Sequence, residues 1–226
     1  MVISDRYRYL YFVIPKCGSA TVRHALAPYT DIGYPVSNFE EHVTIEKFRG
    51  KYDADGRFDR SFKFTFVRNP YDRLYSGYRQ DMLASKSWKN WIAAKKPLFD
   101  ALGDDFNAYV QKYVAKADIV HAWDWICFCP MTAFSHVDGQ CVLDWIGRTE
   151  SLEADLRTLG TRLGVEIGEV GRINAQAPDN ADPADAGGYL SKYTRATVEI
   201  VNELYADDFA AFGYPVRDPD DFPVSL

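Results

Sequence analysis

Two short apolar runs restrict this fold more than any other feature, because each stops at a basic residue and feeds a helical pattern. Tyr9–Ile14 (YLYFVI) and Phe62–Val67 (FKFTFV) are dense in aromatic and β-branched side chains. Runs of this kind are typical of parallel strands buried on both faces. After the first come Pro15, Lys16, the small residues Cys17-Gly18-Ser19-Ala20-Thr21, and a helix expected over Thr21–Ala27. After the second come Arg68, Asn69 and Pro70, then a helix expected over Tyr71–Met82. Strands alternating with helices predict an α/β fold with a central, largely parallel sheet flanked by helices in three layers.

Further helices are expected over residues 40–48 (with Asn38 as a cap), Phe106–Ala117, Leu152–Leu163 and Tyr193–Phe212, and a strand over Cys141–Ile146. Residues 51–60 and 171–191 are rich in turn formers and read as loops. No repeat or second domain is visible, so residues 1–226 are expected to form one domain, long enough to bury a full core.

The formal net charge of -6 argues against a general nucleic-acid binder, though not against a small anionic ligand held by local cations. No apolar stretch approaches the 18 or so residues of a spanning helix, and Asp5, Arg6 and Arg8 interrupt the N-terminal segment. The expectation is a cytoplasmic protein without stable membrane insertion. The four cysteines are too few and too irregular for a disulfide framework, and Cys127-Phe-Cys129 lacks metal-finger spacing. Buried thiols, and no metal, are expected.

A strand, a loop of small residues and a helix N-terminus together gather backbone N–H groups around one point, where the helix dipole favours an anion. Lys16 adds a full charge, and the Ser19 and Thr21 hydroxyls add donors. The plainer alternative is a tight turn with Lys16 in solvent. The loop is not GxxxxGK[ST], because Lys16 precedes Gly18. In the second stretch, Arg68 at a strand end and Ser76 two turns into the next helix are suited to one phosphate: Arg supplies a rigid fork of donors and Ser a neutral one.

At this point the sequence resembles a known family. IPKCGSAT resembles the 5′-phosphosulfate loop of the sulfotransferases, especially the Golgi carbohydrate type, whose 2-O- and 6-O-glycan members it is most like. FVRNPYDRLYSGY resembles that family's 3′-phosphate motif. VLDWIGRTESLEADLRTL resembles its strand, GR.E and helix segment, and ELYADDFAAFGYP its closing helix. The resemblance implies a P-loop-like fold and the donor 3′-phosphoadenosine 5′-phosphosulfate (PAPS), with PAP as product. It implies that Lys16, Cys17, Gly18, Ser19, Ala20 and Thr21 hold the 5′-phosphosulfate, and Arg68 with Ser76 the 3′-phosphate. Cys17 and Ala20 depart from the pattern, which often has Thr and Gly or Thr there. Arg148 and Glu150 either lie near the adenosine or brace the fold.

Sulfuryl transfer needs a base for the acceptor hydroxyl and a cation beside the leaving phosphate. Lys16 suits the second role. Of four histidines, His42 resembles the base of the glycan sulfotransferases by its place between the two phosphate motifs; Glu40 and Glu41 are the alternatives, and a surface position is the plain reading. His121 is a weaker candidate, while His24 and His136 read as structural or turn residues. Trp88, Trp91, Trp123 and Trp125 suit either sugar stacking or the core. Lys86, Lys89, Lys95 and Lys96 suit either a solvated helix face or an anionic glycan. The expected activity is PAPS-dependent sulfation of a carbohydrate, glycolipid-like or other small hydroxyl acceptor. An ATP-dependent small-molecule kinase and a non-catalytic nucleotide-binding module are the rivals.

Overall fold

In the computed structural model, which describes residues 1–33, 40–86, 95–169 and 188–225, the strands are β1 (Val2–Ser4), β2 (Tyr9–Tyr11), β3 (Ile32–Gly33), β4 (Phe62–Val67), β5 (His136–Val137), β6 (Gln140–Cys141) and β7 (Trp145–Arg148). The α-helices are α1 (Ser19–Leu26), α2 (Ile45–Lys51), α3 (Arg57–Arg60), α4 (Pro70–Lys86), α5 (Lys96–Leu102), α6 (Phe106–Lys112), α7 (Leu152–Leu163), α8 (Arg195–Leu204) and α9 (Ala206–Phe212). The chain divides into two compact units, each built from two stretches: residues 1–68 with 131–180, and residues 69–130 with 181–226.

The first unit holds a five-stranded sheet in the order β3-β1-β2-β4-β7. The expected α/β fold is present: β2 pairs parallel with β4 and β4 with β7, the second of these being the longest ladder in the sheet. Backbone pairing continues past β2, with the Phe12 N–H donating to the Phe64 carbonyl at 3.0 Å. At one edge β1 and β3 add antiparallel pairings. The rings of Tyr11 and Phe64 stack across the β2–β4 pair, 5.1 Å apart and 2° from parallel. Gly147 is needed on β7, because a Cβ there would meet the Phe66 ring at 2.6 Å and the Trp145 ring at 2.7 Å. One face of the sheet closes over Met1, Ile3, Leu10, Phe12, Val43, Ile45, Phe48 and Phe58.

Two expectations change here. The helix expected over residues 40–48 begins at Ile45, because Thr44 is extended and its hydroxyl accepts from the Lys47 N–H. His42 therefore lies in the approach to α2 and not within it; Asn38 lies outside the described residues. The strand expected over Cys141–Ile146 is two strands. Cys141 belongs to the β5–β6 hairpin and Trp145–Arg148 to the main sheet. Asp144 is the joint, donating its N–H to the Lys63 carbonyl at 2.8 Å and accepting from the Lys63 N–H at 2.7 Å.

The second unit is helical. Asn69 starts α4 by accepting from the Tyr71 N–H at 3.0 Å, with Pro70 in the first helical position. The expected last helix divides at Tyr205 (φ -117°), whose hydroxyl donates to the Phe128 carbonyl at 2.8 Å. α6 stops at Lys112 and gives way to a 3₁₀ turn over Val114–Lys116. Lys95 is no part of a solvated face: it is 2% exposed, 2.6 Å from the Asp81 carboxylate, and 3.9 Å from the Trp125 ring centre. Lys96 pairs with Asp100. Among the described residues, no helix is long and apolar enough to cross a membrane.

Candidate active site

The three parallel strands release the chain at one edge of the sheet, each into a basic residue. β2 leads through Phe12–Ile14 to Lys16, β4 leads directly to Arg68, and β7 ends in Arg148. The carboxyl ends of parallel strands are where open α/β sheets bind ligands.

The loop after β2 has the geometry of an anion cradle. Lys16 (φ 66°) and Gly18 (φ 70°) are both left-handed, a backbone pattern that turns successive N–H groups toward one side. α1 starts at Ser19 with Gly18 as its cap residue and no side chain capping it. The N–H groups of its first turn meet the loop at the positive end of the helix dipole. Gly18 is also confined by its neighbours: a Cβ would lie 3.3 Å from Leu152 Cδ2. Lys16, Gly18, Ser19 and Ala20 are half-exposed. Cys17 and Thr21 are buried, and the Cys17 Sγ lies 3.8 Å from the Met131 Sδ. These residues fit a phosphosulfate group in charge, donor count and backbone approach.

Arg68 is tied to the same loop: its Nη1 donates to the Lys16 carbonyl at 3.2 Å. The structure therefore brings the first phosphate motif and the arginine of the second together. Ser76 belongs to the second unit, half-buried on α4. Arg148 is set by the contact of its own N–H with Asp155 Oδ2 at 2.6 Å, and the Thr149 hydroxyl donates to the Val67 carbonyl at 3.0 Å. Glu150 is exposed.

His42 is joined to the start of the loop. Its Nδ1 lies 2.9 Å from the carbonyl oxygen of Val13, three residues before Lys16. A carbonyl only accepts, so Nδ1 carries the proton and Nε2 the lone pair. Nε2 is 4.0 Å from Glu41 Oε1. Burial pushes the imidazole down to about 4, against the opposing pull of Glu41. His42 is thus neutral at ordinary pH, in the tautomer that can take a proton.

Glu41 itself pairs with Arg23. Burial works to raise its carboxyl, but its interactions with the His42 ring and with the Arg23 guanidinium outweigh that and hold it below the usual range. Glu40 is likewise held low: burial opposes Lys47 (2.6 Å) and Lys51, and the cations prevail. Sequence reasoning missed Arg23, on the first helix, as the partner of Glu41. An arginine within a turn of the phosphate loop was the available signal, but its partner lies 18 residues away.

The remaining candidates fall elsewhere. His24 is exposed. His121 is exposed and bonded to Asp118 at 3.0 Å, in the second unit. His136 contacts the Ser135 hydroxyl at 2.8 Å. Trp123 is exposed, and Trp125 packs on Phe128 and Lys95. Trp88, Trp91 and Lys89 lie outside the described residues, as does most of 171–191. Cys17, Cys127 and Cys129 are buried thiols, while Cys141 is exposed. Among the described residues, no group of three His, Cys, Asp or Glu gathers as a metal site would require.

Comparison with known proteins gives the same direction. The chain is 26% identical to mouse carbohydrate sulfotransferase 14 over 238 residues, covering 96% of this chain and 60% of the relative. Against the human protein of that name the identity is 24% over 242 residues, with the same coverage. Against carbohydrate sulfotransferase 10 of Xenopus laevis it is 21%, covering 94% of this chain and 66% of the relative. The chain thus spans about three fifths to two thirds of the length of these relatives. No solved structure is significantly similar. The sulfotransferase family profile matches residues 1–215, nearly the whole chain and every element of the site above, and the chain belongs to the sulfotransferase family.

Proposed function

We propose that this protein transfers a sulfuryl group from PAPS to a hydroxyl of a carbohydrate acceptor. The observation that carries the reading is the convergence of Lys16, Arg68 and His42 on the loop between β2 and α1. The family match and the printed names of the relatives support the reaction and the acceptor class.

PAPS supplies an activated sulfuryl group and a phosphate that leaves as its sulfur–oxygen bond breaks. The Lys16–Thr21 loop binds the 5′-phosphosulfate through backbone N–H groups and the Ser19 and Thr21 hydroxyls. Lys16 places its ammonium against the charge that grows on the leaving oxygen. Arg68 and Ser76 bind the 3′-phosphate, so donor specificity over ATP rests on them. His42 Nε2 takes the proton of the acceptor hydroxyl as that oxygen forms its bond to sulfur. Glu41 steadies the imidazolium that results, and Arg23 holds Glu41 in place. Glu40 and Glu41, each held by cations, are the poorer bases.

The test is calorimetric titration with PAP, ADP and ATP. The expected result is PAP binding at micromolar Kd or tighter, weak ADP and ATP, and a loss of PAP affinity in Arg68→Ala of about 2–3 kcal/mol. Equal affinity for PAP and ADP would refute the assignment of the 3′-phosphate and favour a kinase or a general phosphate binder.

A further inference from the structure

β2 and β4 stay paired as far as Phe12, whose carbonyl accepts from the buried Thr65 hydroxyl at 2.6 Å. The chain then runs outside the strand to Lys16. There Arg68 joins the two stretches again, its Nη1 donating to the Lys16 carbonyl at 3.2 Å.

Lys16 is a residue that needs holding. Its φ of 66° is left-handed, a conformation that an L-residue keeps only where its surroundings impose it. A peptide unit is a rigid trans plane, with its carbonyl on one edge and the next N–H on the other. A donor that fixes the Lys16 carbonyl therefore also fixes the direction of the Cys17 N–H. Arginine carries five N–H donors in one fork, so a carbonyl and a phosphate can share it.

Arg68 is in turn held from the third parallel strand. Val67 pairs with Arg148 across β4 and β7, and the Thr149 hydroxyl donates to the Val67 carbonyl at 3.0 Å. The Thr149 methyl also stands against the loop: a Cβ built on Gly18 would lie 3.6 Å from it, beside Leu152. Thr149 thus faces both the strand end that carries Arg68 and the loop that Arg68 holds.

We infer that Arg68 and Thr149 are positioning residues of the donor loop. Arg68 holds the left-handed turn at Lys16 through its carbonyl, and Thr149 holds the backbone from which Arg68 reaches. Binding at the 5′ end of the donor therefore depends on both residues, even for a ligand that has no 3′-phosphate. The inference rests on the proposed assignment of this loop to the 5′-phosphosulfate.

Calorimetry on the full chain with adenosine 5′-phosphosulfate, which lacks the 3′-phosphate, and with PAP tests it. Arg68→Ala should weaken binding of adenosine 5′-phosphosulfate by about five- to tenfold, and Thr149→Val by about three- to fivefold. Thr149→Val keeps the shape of the side chain and removes the hydroxyl, whereas Thr149→Ser keeps the hydroxyl. Thr149→Ser should therefore bind within about twofold of wild type, a rescue that a role in packing alone would not give. The Thr149 pair decides the matter should Arg68→Ala fail to fold. Unchanged binding of adenosine 5′-phosphosulfate in Arg68→Ala and Thr149→Val, beside a fall in PAP affinity in Arg68→Ala, would overturn the inference and leave the donor reading intact. A loss confined to Arg68→Ala would remove Thr149 from it. A wild type that binds neither ligand would sink the donor reading, and the inference with it.

Discussion

The imidazole of His42 hangs from the carbonyl of Val13 by its Nδ1–H, at 2.9 Å. Val13 lies on the segment that carries β2 into the proposed donor loop, so the proposed base is anchored to the backbone that leads into the proposed cradle. A misplacement of about 1 Å can cost a hundredfold in rate.

His42→Ala should therefore lower kcat by about 10²–10⁴ while leaving PAP affinity within twofold. Steady-state kinetics with PAPS and a sugar acceptor, beside PAP calorimetry, read the two effects separately. A parallel fall in PAP affinity would assign His42 to the donor site instead.

The same residue sets a pH dependence of stability. Its folded value of about 4 lies below the ordinary 6.5, so between these limits the unfolded chain binds a proton that the folded chain does not. The contribution is fully present above pH 6.5 and is lost as pH falls toward 4. From pH 7 to pH 5, wild type should lose about 1–2 kcal/mol more than His42→Gln, by urea unfolding at each pH. Identical pH profiles would show that the imidazole is not buried neutral.

Gly18→Ala tests the cradle. The backbone there is left-handed and a Cβ would press on Leu152, so the variant should lose about 1–2 kcal/mol of stability and bind PAP more weakly. Thermal melting with and without PAP measures both. Unchanged PAP affinity would mean that the loop amides do not hold the donor.

The Asp81–Lys95 pair is a separate matter of stability. Asp81 also accepts from the Tyr109 hydroxyl at 3.0 Å, and both charges are almost wholly buried. Lys95→Met should cost about 3–5 kcal/mol, because it strands a carboxylate. Adding Asp81→Leu to it should recover part of that loss. A double variant no better than the sum of the singles would mean that the two side chains act independently.

How much of this was legible in the chain depended on length scale. β4 and α7 matched expectation residue for residue, since each is a single uninterrupted run with its own signal. β1 and β3 escaped notice because two or three residues carry no periodicity; they exist only through pairing with β2 and with each other. The breaks at Thr44, Asp144 and Tyr205 were equally invisible, because the partners of Asp144 and Tyr205 lie 81 and 77 residues away. The loop, Arg68 and His42 were readable as motifs, whereas the Arg23–Glu41 contact and the bond to Val13 depend on how α1 and the approach to α2 meet.

Among the described residues Lys16 is one of few non-glycine residues with a positive φ, and that conformation costs an L-residue on the order of 1–2 kcal/mol. Glycine would relieve the cost and remove the charge. At this position folding and the proposed chemistry therefore favour different amino acids. A library selected for thermal tolerance alone should drift toward Lys16→Gly and go silent as an enzyme, while one selected for turnover should keep the lysine and tolerate the penalty.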